Sequence, residues 1–472
     1  MNNLDLKKRL NSIFRPKNMA IVGVSLKTPL FPGNIVYNKN LFEYPVNVYA
    51  INPKGGTLEG NKIYKSIEEI PVNLDLAVLM ISARLVPKEM IKCGKIGVKS
   101  VIIGSGGFSE TGKDGIKLEN ELLSISKQYD LPFMGPNCIG VHSNYVDTFI
   151  LPSERLATPP SGNVVIISQS GGFLIDQIFS KFHERDIGIF AAANIGNKAM
   201  INDITLLKYF NTEPEIDTIV IYNEGFQKNT GKEIIEFAKQ TEKDIIIIKG
   251  GKSKYGARAA KSHTASIASN INLISASFRQ VGIIEAISEN ELVSYTKVIS
   301  FGLNPPEENN VVILSISGGH GVLAADLAAY YKINLVEFTE EQKRILRENM
   351  NSVIADIGSF DNPIDLTGSV TDSDIEKCLE LLMQFDSVKS IVILLVPYVP
   401  TITMQIGRRL SNVIRNSKSK KPVIAYCPRL SIYGIIINGL ELNKTIPVAH
   451  TIEEAIQMMR GLYLKGLKNR KH

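Results

Sequence analysis

The decamer VVIISQSGGF at residues 164–173 decides the fold class of this 472-residue chain. A short β-branched apolar run that ends in Ser-x-Ser-Gly-Gly is typical of a buried parallel strand that turns directly into a helix. The decamer recurs at 311–320 as VVILSISGGH, with seven of its ten positions identical. A helical pattern follows each copy, over 173–182 and 322–330. The repeat therefore predicts two equivalent strand–turn–helix units.

Two interpretations of the repeated turn remain open. Any strand-to-helix turn favours Gly and Ser, so the repeat can reflect backbone geometry alone. Alternatively, the two helix N-termini act together on one anion, because the first N–H groups of a helix are unpaired and its dipole attracts negative charge. The second interpretation makes candidate phosphate ligands of the two turns, which comprise Ser170, Gly171, Gly172, Ser317, Gly318 and Gly319.

Short β-branched runs that end in Gly, Ser or Asn recur along the rest of the chain. Four of them lie before residue 110, at 19–24, 46–51, 76–81 and 100–104, with amphipathic stretches between them. Further runs begin at Asp217, Asp244, Ser390 and Pro422. Strands that alternate with helices at this spacing predict an α/β fold with doubly wound parallel sheets.

Two polar, proline-containing segments mark candidate domain boundaries. Residues 151–163 read LPSERLATPPSGN and residues 303–310 read LNPPEENN. Neither segment carries the apolar periodicity of a helix or strand. The chain is therefore predicted to form three α/β domains, at 1–150, 151–302 and 303–472.

Composition excludes several classes of protein. Apolar residues make up 44% of the chain, charged residues 21%, and the net charge is only +6, which argues against a disordered chain or a dedicated nucleic-acid surface. Four cysteines lie far apart without a CxxC pair, which predicts neither a disulfide framework nor a metal site. No apolar run is long enough to span a membrane and the N-terminus has no apolar signal core, so a cytoplasmic location is expected.

The first domain carries an altered dinucleotide-binding pattern. Gly23-Val24-Ser25 replaces the GxGxxG fingerprint, and Lys54 follows the second strand, where a ribose-binding carboxylate would stand. A lysine here suits a ligand with an extra phosphate, such as coenzyme A or NADP, although a solvated loop lysine is equally compatible. Gly104-Ser105-Gly106 follows another strand and predicts a further backbone turn at the same edge.

His263 and Glu224 are the candidate catalytic pair. His263 lies in GARAAKSHTASIAS, among small residues and close to Arg258 and Lys261. An imidazole with an ordinary pKa near 6.5 has a free nitrogen at neutral pH and can act as nucleophile or base. Glu224 ends the strand DTIVIYNEGF and could accept a hydrogen bond from the other nitrogen. A loop histidine and a solvated rim carboxylate are the competing interpretations.

A nucleotide-binding P-loop is not predicted. Gly251-Lys252-Ser253 resembles the end of a Walker A loop, but Ile246 stands where that motif requires its first glycine. The motifs therefore predict no ATP site on this chain, although an ATP-grasp site leaves only a weak trace in a sequence.

Short motifs along almost the whole chain resemble the α subunit of ADP-forming (NDP-forming) acyl-CoA synthetases, in the succinyl-CoA synthetase superfamily. The motifs are AIVGVS at 20–25, VYAINPKGG at 48–56, GPNCIG at 135–140, ISQSGG at 167–172, NIGNKA at 194–199, YNEGF at 222–226, GARAAKSHTAS at 256–266, SGGHGV at 317–322 and NPIDLTG at 362–368.

The resemblance implies a Rossmann-like CoA-binding domain followed by two flavodoxin-like ligase domains. It makes His263 the transiently phosphorylated residue, Glu224 the glutamate that orients it, and the Ser170 and Ser317 turns the phosphate-binding turns. The CoA-binding edge would comprise Gly23, Val24, Ser25, Lys54, Ser82, Gly104, Ser105, Gly106 and Asn137. ADP or ATP with Mg²⁺ would bind to a separate ATP-grasp β subunit, in an α₂β₂ assembly.

The implied reaction converts acyl-CoA, ADP and inorganic phosphate reversibly into carboxylic acid, ATP and CoA, through an acyl phosphate. Two departures from the family pattern stand out, because Ala265 replaces a usual glycine and His320 a usual proline. They keep a non-catalytic CoA-binding or regulatory protein as an alternative. A succinate-type CoA ligase subunit and an NADP-dependent oxidoreductase are two further alternatives.

Overall fold

The computed structural model describes residues 3–264 and 271–469, and side chains over 7–259 and 272–468. The chain divides into two compact units, Met1–Glu285 and Ala286–His472. Two sheets lie in the first unit and one in the second.

The first sheet has seven strands over the described residues, in the order β3-β4-β2-β1-β5-β6-β7. Its strands are β1 (Asn18–Val22), β2 (Asn47–Ile51), β3 (Gly56–Leu58), β4 (Asn61–Tyr64), β5 (Leu76–Leu79), β6 (Ser100–Ile103) and β7 (Phe133–Met134). All neighbours run parallel except β3 and β4, which form a hairpin. The last residues of β1, β2, β5 and β6 are in register, so the loops that follow them meet at one edge.

The second sheet contains six strands in the described residues, in the order β13-β12-β11-β9-β10-β8. They are β8 (Gly140–Ser143), β9 (Ser161–Ser168), β10 (Ile189–Asn194), β11 (Thr218–Asn223), β12 (Asp244–Lys249) and β13 (Ile284–Ala286). Strands β10, β9, β11 and β12 are parallel, whereas β8 pairs antiparallel with β10. The β-branched run of β9 is buried on both faces, as a central parallel strand requires.

The helices of the first unit cover the two sheets. Those with α geometry are Asn3–Phe14, Pro32–Glu43, Val86–Lys95, Lys113–Tyr129, Gly171–Phe173, Ser180–Glu184, Asp203–Phe210, Thr230–Ala238, Lys254–Thr264 and Ile271–Gln280. A π-helical segment, Leu174–Phe179, joins two of them into one rod that begins at Gly171.

The second unit has one six-stranded sheet over the described residues, in which β14 pairs parallel with β15, β16 and β17, β17 with β18, and β18 with β19. Its strands are β14 (Asn310–Ser315), β15 (Asn334–Leu335), β16 (Ile364–Asp365), β17 (Ile391–Leu394), β18 (Val423–Tyr426) and β19 (Val448–Ala449). Its helices are Glu289–Ser300, Gly318–Tyr330, Glu340–Glu348, Ser352–Ile357, Asp372–Gln384, Ile406–Asn416, Gly434–Glu441 and Ile452–Asn469.

The predicted fold class is confirmed: three parallel or mixed sheets alternate with helices along the chain.

Two elements pack on the other side of an expected domain limit from the one on which they lie in the sequence. Strand β8 precedes residue 150 but pairs within the second sheet. Helix Glu289–Ser300 precedes residue 302 but packs within the second unit, where Ser294 donates to Gln457 Oε1 at 2.8 Å.

No helix in the described part of the chain is both long and apolar enough to cross a bilayer. Cys93, Cys138, Cys378 and Cys427 are buried thiols. Within the same residues, no cluster of histidine, cysteine and acidic side chains could hold a metal ion.

Candidate functional site

The loop after β1 is shaped by a close approach between two glycines. Gly23 has a positive φ of 105°, and a Cβ on Gly33 would lie 2.5 Å from the Gly23 carbonyl oxygen. The helix Pro32–Glu43 can begin against this loop only because residue 33 has no side chain. Ser25 then donates its N–H to Asn34 Oδ1 at 2.6 Å, and Asn34 Nδ2 donates to the Ser25 carbonyl at 2.9 Å. Contacts within the chain itself thus hold the Gly23–Ser25 turn in place.

Lys54 lies on the next loop of the same edge. Asn52 fixes that loop, since its Nδ2 donates to the Val24 carbonyl at 2.7 Å and its Oδ1 accepts from the Lys54 N–H at 2.9 Å. The Lys54 side chain is exposed, and its ammonium has no hydrogen bond or ion pair to any described residue. An anion at this edge could therefore be met by Lys54 without breaking an existing contact. The roles of Asn52 and Asn34 in holding these loops were not predicted from the sequence pattern.

The remaining residues predicted for this edge also lie together. Ser82 follows β5 and its carbonyl begins a short helical turn, Ala83–Leu85. Ser105 follows β6, donates its hydroxyl to the Ile81 carbonyl, and accepts the N–H of Asn137 through its own carbonyl at 2.9 Å. Gly106 lies directly against Asn137, where a Cβ would be 3.2 Å from Oδ1. The geometry thus joins the loops after β5 and β6 to the GPN turn.

Glu110 links this edge to the second sheet. Its Oε1 accepts the N–H groups of Gly107 and Phe108 at 2.6 and 3.1 Å, and its Oε2 accepts Asn197 Nδ2 at 2.6 Å. Burial by itself would raise the pKa of Glu110, but the hydrogen bonds from Asn197 and from the two backbone N–H groups outweigh it, and the pKa is lowered from its usual 4.5. The ionised form of the Glu110 side chain therefore stabilises the folded state.

We expect Glu110→Gln to lower the free energy of unfolding at neutral pH and to lose that effect in acid. Because the pKa of Glu110 is lower in the folded than in the unfolded state, its contribution is complete above 4.5 and disappears as the pH falls through the folded-state pKa. Urea unfolding of both proteins at about pH 7 and about pH 3 measures this. A difference that stayed constant or grew in acid would contradict it.

The Ser170 turn connects β9 to its helix. Ser170 is the N-cap, and its Oγ accepts the Phe173 N–H at 3.3 Å. Ser168 donates its hydroxyl to the Ser170 carbonyl at 2.7 Å. Gly171 is closely packed, since a Cβ would lie 3.0 Å from Ile139, but a Cβ on Gly172 would meet no atom of the described residues within 4 Å. In that part of the chain, the space next to Gly172 is open.

The Ser317 turn in the second unit repeats this geometry. Ser315 donates its hydroxyl to the Ser317 carbonyl at 2.7 Å, as Ser168 does to Ser170. Gly318 is close to Asp365, with 3.0 Å from a Cβ to Oδ2, whereas a Cβ on Gly319 would meet no atom within 4 Å among the residues that the structure describes. The repeat seen in the sequence is therefore a repeat of hydrogen bonds and of open space at the second glycine.

His320 makes the two turns differ. Its Nδ1 lies 3.0 Å from Ser317 Oγ, and Ser317 shows no side-chain cap of its helix. The hydroxyl that caps the helix in the Ser170 turn is thus engaged by an imidazole in the Ser317 turn.

Glu224 is joined to the Ser170 turn by two side chains. Gln169 Oε1 accepts the Glu224 N–H at 2.9 Å, and Tyr222 donates its hydroxyl to Glu224 Oε1 at 3.3 Å. The Tyr222 ring stacks on Phe173 with 4.1 Å between ring centroids. Burial, aided by the charge of Glu224, raises the pKa of Tyr222, so the phenol remains a neutral donor. Gln169 and Tyr222 were not among the residues predicted for the site.

His263 lies in the helix Lys254–Thr264, which follows β12. Its side chain is outside the described residues, as is the whole of Ala265. The predicted contact between His263 and Glu224 therefore stays a prediction.

Two family comparisons match the first unit and the start of the second. Residues 17–144 match a family described as "CoA binding domain". Residues 161–299 match one described as "Succinyl-CoA ligase like flavodoxin domain".

Individual proteins extend the match to nearly the full length. The chain is 34% identical to "Acetate--CoA ligase [ADP-forming] I subunit alpha" of Pyrococcus furiosus, over 98% of this chain and 99% of that protein. The solved structure of apo "dinucleotide forming Acetyl-coenzyme A synthetase 1" of Ca. Korarchaeum cryptofilum has a TM-score of 0.85 at 28% identity, over 98% of both chains. A structure of the same protein in complex with phosphate and ADP has a TM-score of 0.83, also at 28% identity and over 98% of both chains.

Proposed function

The chain belongs to the family of ADP-forming acetate–CoA ligase α subunits, and from that premise we propose the roles of its residues. It is an acid–CoA ligase subunit for the reaction acyl-CoA + ADP + phosphate ⇌ carboxylic acid + ATP + CoA. The family match establishes the class of reaction, and the roles below are what the geometry of this chain supports.

Coenzyme A binds along the edge formed by the loops after β1, β2, β5 and β6. The pre-formed Gly23–Ser25 turn and the unengaged ammonium of Lys54 fit its phosphates. Leu26, Leu30 and Leu85 are each about half exposed at the same loops, with 46%, 60% and 54% of their surface accessible, and suit its less polar parts. We assign Val24, Ser82, Gly104, Ser105, Gly106 and Asn137 to the same binding edge.

Inorganic phosphate binds at the Ser170 turn, and the Ser317 turn serves as a second phosphate-binding turn. Support comes from the space at Gly172 and at Gly319, where no atom of the described residues would touch an added Cβ and an anion could be accommodated. Partial positive charge at a helix N-terminus contributes about 0.3–1 kcal/mol to anion binding when exposed, and up to about 2 kcal/mol when partly buried.

The chemistry then proceeds in three transfers. A phosphate oxygen attacks the thioester carbonyl, the C–S bond breaks, and CoA leaves as a thiol after taking up a proton. A His263 nitrogen attacks phosphorus, and the carboxylate leaves. Glu224 accepts a hydrogen bond from the other ring nitrogen and stabilises the charge that develops there. Finally, ADP takes the phosphoryl group, and His263 is regenerated.

ADP and Mg²⁺ belong to an ATP-grasp β subunit, and the assembly is an α₂β₂ heterotetramer. The designation of the Pyrococcus furiosus relative as a subunit alpha supports a separate partner. Small-molecule acyl-CoA and carboxylic acid are the substrates, and neither nucleic acid nor membrane is a partner. The four buried thiols suit a reducing compartment, so we place the enzyme in the cytoplasm.

The observation that carries this assignment is the rigid link between Glu224 and the Ser170 turn through Gln169. This hydrogen bond connects the residue that carries the proposed stabilising carboxylate to the residue that precedes the proposed phosphate-binding turn.

The partner requirement is tested by measuring ATP formation from acetyl-CoA, ADP and phosphate. We expect no ATP formation by the chain alone and full activity after its own β subunit is added. Mixing with a β subunit whose ATP-grasp site is disabled should leave the chain inactive. ATP formation by the isolated chain would contradict the assignment of the nucleotide to the partner.

A further inference from the structure

Two buried lysines contact the backbone at Glu224 and Gly225. Lys249 is the last residue of β12 and Lys198 lies in the loop after β10, with only 8% and 3% of their surfaces exposed. Lys249 Nζ donates to the Glu224 carbonyl at 2.6 Å and also to the Gly250 carbonyl. Lys198 Nζ donates to the Gly225 carbonyl at 2.9 Å. Two ammonium groups thus hold two successive carbonyl groups, starting at the proposed catalytic glutamate.

These contacts complete the immobilisation of the Glu224 backbone. Gln169 accepts its N–H, Lys249 holds its carbonyl, and Lys198 holds the next carbonyl along the chain. A carboxylate that stabilises a reacting imidazole must be held within about 0.5 Å, which a free strand end does not provide. The lysines supply that restraint by donating to the two carbonyl groups, whereas Gln169 accepts the Glu224 N–H.

Stability alone gives a poor account of this arrangement. Burying an ammonium is costly, and an apolar side chain of similar volume would fill the same space at less cost. Asp203 compensates one of the charges, since its Oδ2 is 3.0 Å from Lys198 Nζ and its Oδ1 accepts Asn223 Nδ2 at 2.9 Å. Burial, together with the like charges of Lys198 and Lys252, lowers the pKa of Lys249 to about 8, even though Glu224 and Asp203 oppose that shift.

We propose that Lys249, supported by Lys198, is a positioning residue that sets the Glu224 carboxylate for phosphoryl transfer through the imidazole. This inference rests on the proposed function, because it takes the roles of Glu224 and His263 from it. Lys249 acts on the backbone of Glu224 and through it on the carboxylate, and it takes no part in bond making or breaking.

The chain offers a matched control in Lys243. This residue immediately precedes β12, at the opposite end of the strand from Lys249, and its Nζ also donates to two carbonyls, of Glu213 at 2.7 Å and Ile216 at 2.6 Å. Burial lowers its pKa as well. Lys243→Met therefore measures the general effect of removing a lysine that binds two carbonyls, without disturbing Glu224.

The test compares Lys249→Met with Lys243→Met in the assembled α/β enzyme. We expect Lys249→Met to slow histidine phosphorylation from labelled ATP and Mg²⁺ by roughly tenfold or more, with KM for CoA unchanged. Arsenate-dependent cleavage of acetyl-CoA, which bypasses the imidazole, should change less than twofold, as should both activities in Lys243→Met. Lys249→Arg, which keeps donors for the carbonyls, should recover part of the phosphorylation rate.

A second variant distinguishes a loss of positioning from a loss caused by misfolding. The double variant Lys198→Met/Asp203→Asn removes both members of the buried ion pair, so that neither of these two charges is left without its partner. It should also slow histidine phosphorylation selectively. Equal losses in Lys249→Met and Lys243→Met, or equal losses in phosphorylation and arsenolysis, would overturn the positioning role.

Failure of the inference and failure of the proposed function give different results. If Glu224→Gln greatly slows phosphorylation but Lys249→Met does not, Lys249 has no positioning role and the proposed function stands. If Glu224→Gln phosphorylates at the native rate, the role of Glu224 itself is wrong.

Discussion

His263→Asn is expected to lower ATP formation from acyl-CoA, ADP and phosphate by roughly a thousandfold or more. An amide nitrogen is not nucleophilic, so the variant cannot carry the phosphoryl group. Because attack of phosphate on the thioester precedes the imidazole step, arsenate-dependent cleavage of acyl-CoA should remain within about twofold of the native rate.

The control for this prediction is His183→Asn. His183 is exposed in the helix Ser180–Glu184, where its Nδ1 is 2.7 Å from the Thr158 carbonyl oxygen, and it is not among the residues assigned to the proposed site. It should retain ATP formation. Loss of arsenolysis together with ATP formation in His263→Asn would point to a structural role for the loop, and retention of both would remove His263 from the mechanism.

Gly172→Val is expected to raise KM for phosphate by about a hundredfold or more while leaving the fold intact. A Cβ at this position meets nothing within 4 Å in the described parts of the chain, so the added side chain would occupy the space assigned to the anion. Valine also places its branched carbons over the N–H groups that begin the helix. Losing helix-terminus contacts of up to about 2 kcal/mol, together with steric exclusion, accounts for an effect of this size.

Gly231→Val is the matched control for Gly172→Val. Gly231 is the second residue of the helix Thr230–Ala238, as Gly172 is of its helix, and a Cβ there makes only an ordinary contact of 3.6 Å with Phe226. The Gly231→Val variant measures how much stability is lost when a β-branched residue is placed near the start of a helix. Gly319→Val should raise KM for phosphate as well. Unchanged phosphate kinetics in both Gly172→Val and Gly319→Val would exclude the two turns as phosphate ligands.

Much of the architecture follows from local sequence pattern. The short β-branched apolar runs became β1, β5, β6, β9, β11, β12, β14 and β17, because strands buried on both faces need continuous apolar residues. Strand β8 was not foreseen, since GVHS is short and its pairing with β10 is set by tertiary contact alone. The π-helical segment Leu174–Phe179 likewise has no signal in the residues themselves.

The candidate site was predictable where it depends on turn chemistry. Ser170, Gly171 and Gly172 stand out because a strand that turns directly into a helix needs small capping residues. Gln169 and Lys249 do not stand out, because their partners lie 55 and 25 residues away in the chain and are backbone atoms. A side chain that binds a distant carbonyl or N–H leaves no pattern in one sequence.

The most direct test of the central assignment is to locate the phosphoryl group. The α/β enzyme is incubated with labelled ATP and Mg²⁺ and digested at alkaline pH, and the acid-labile, base-stable label is mapped by mass spectrometry. The account predicts label on His263, reduced in Glu224→Gln and absent in His263→Asn. Label on His320, or persistence of full labelling in His263→Asn, would contradict it.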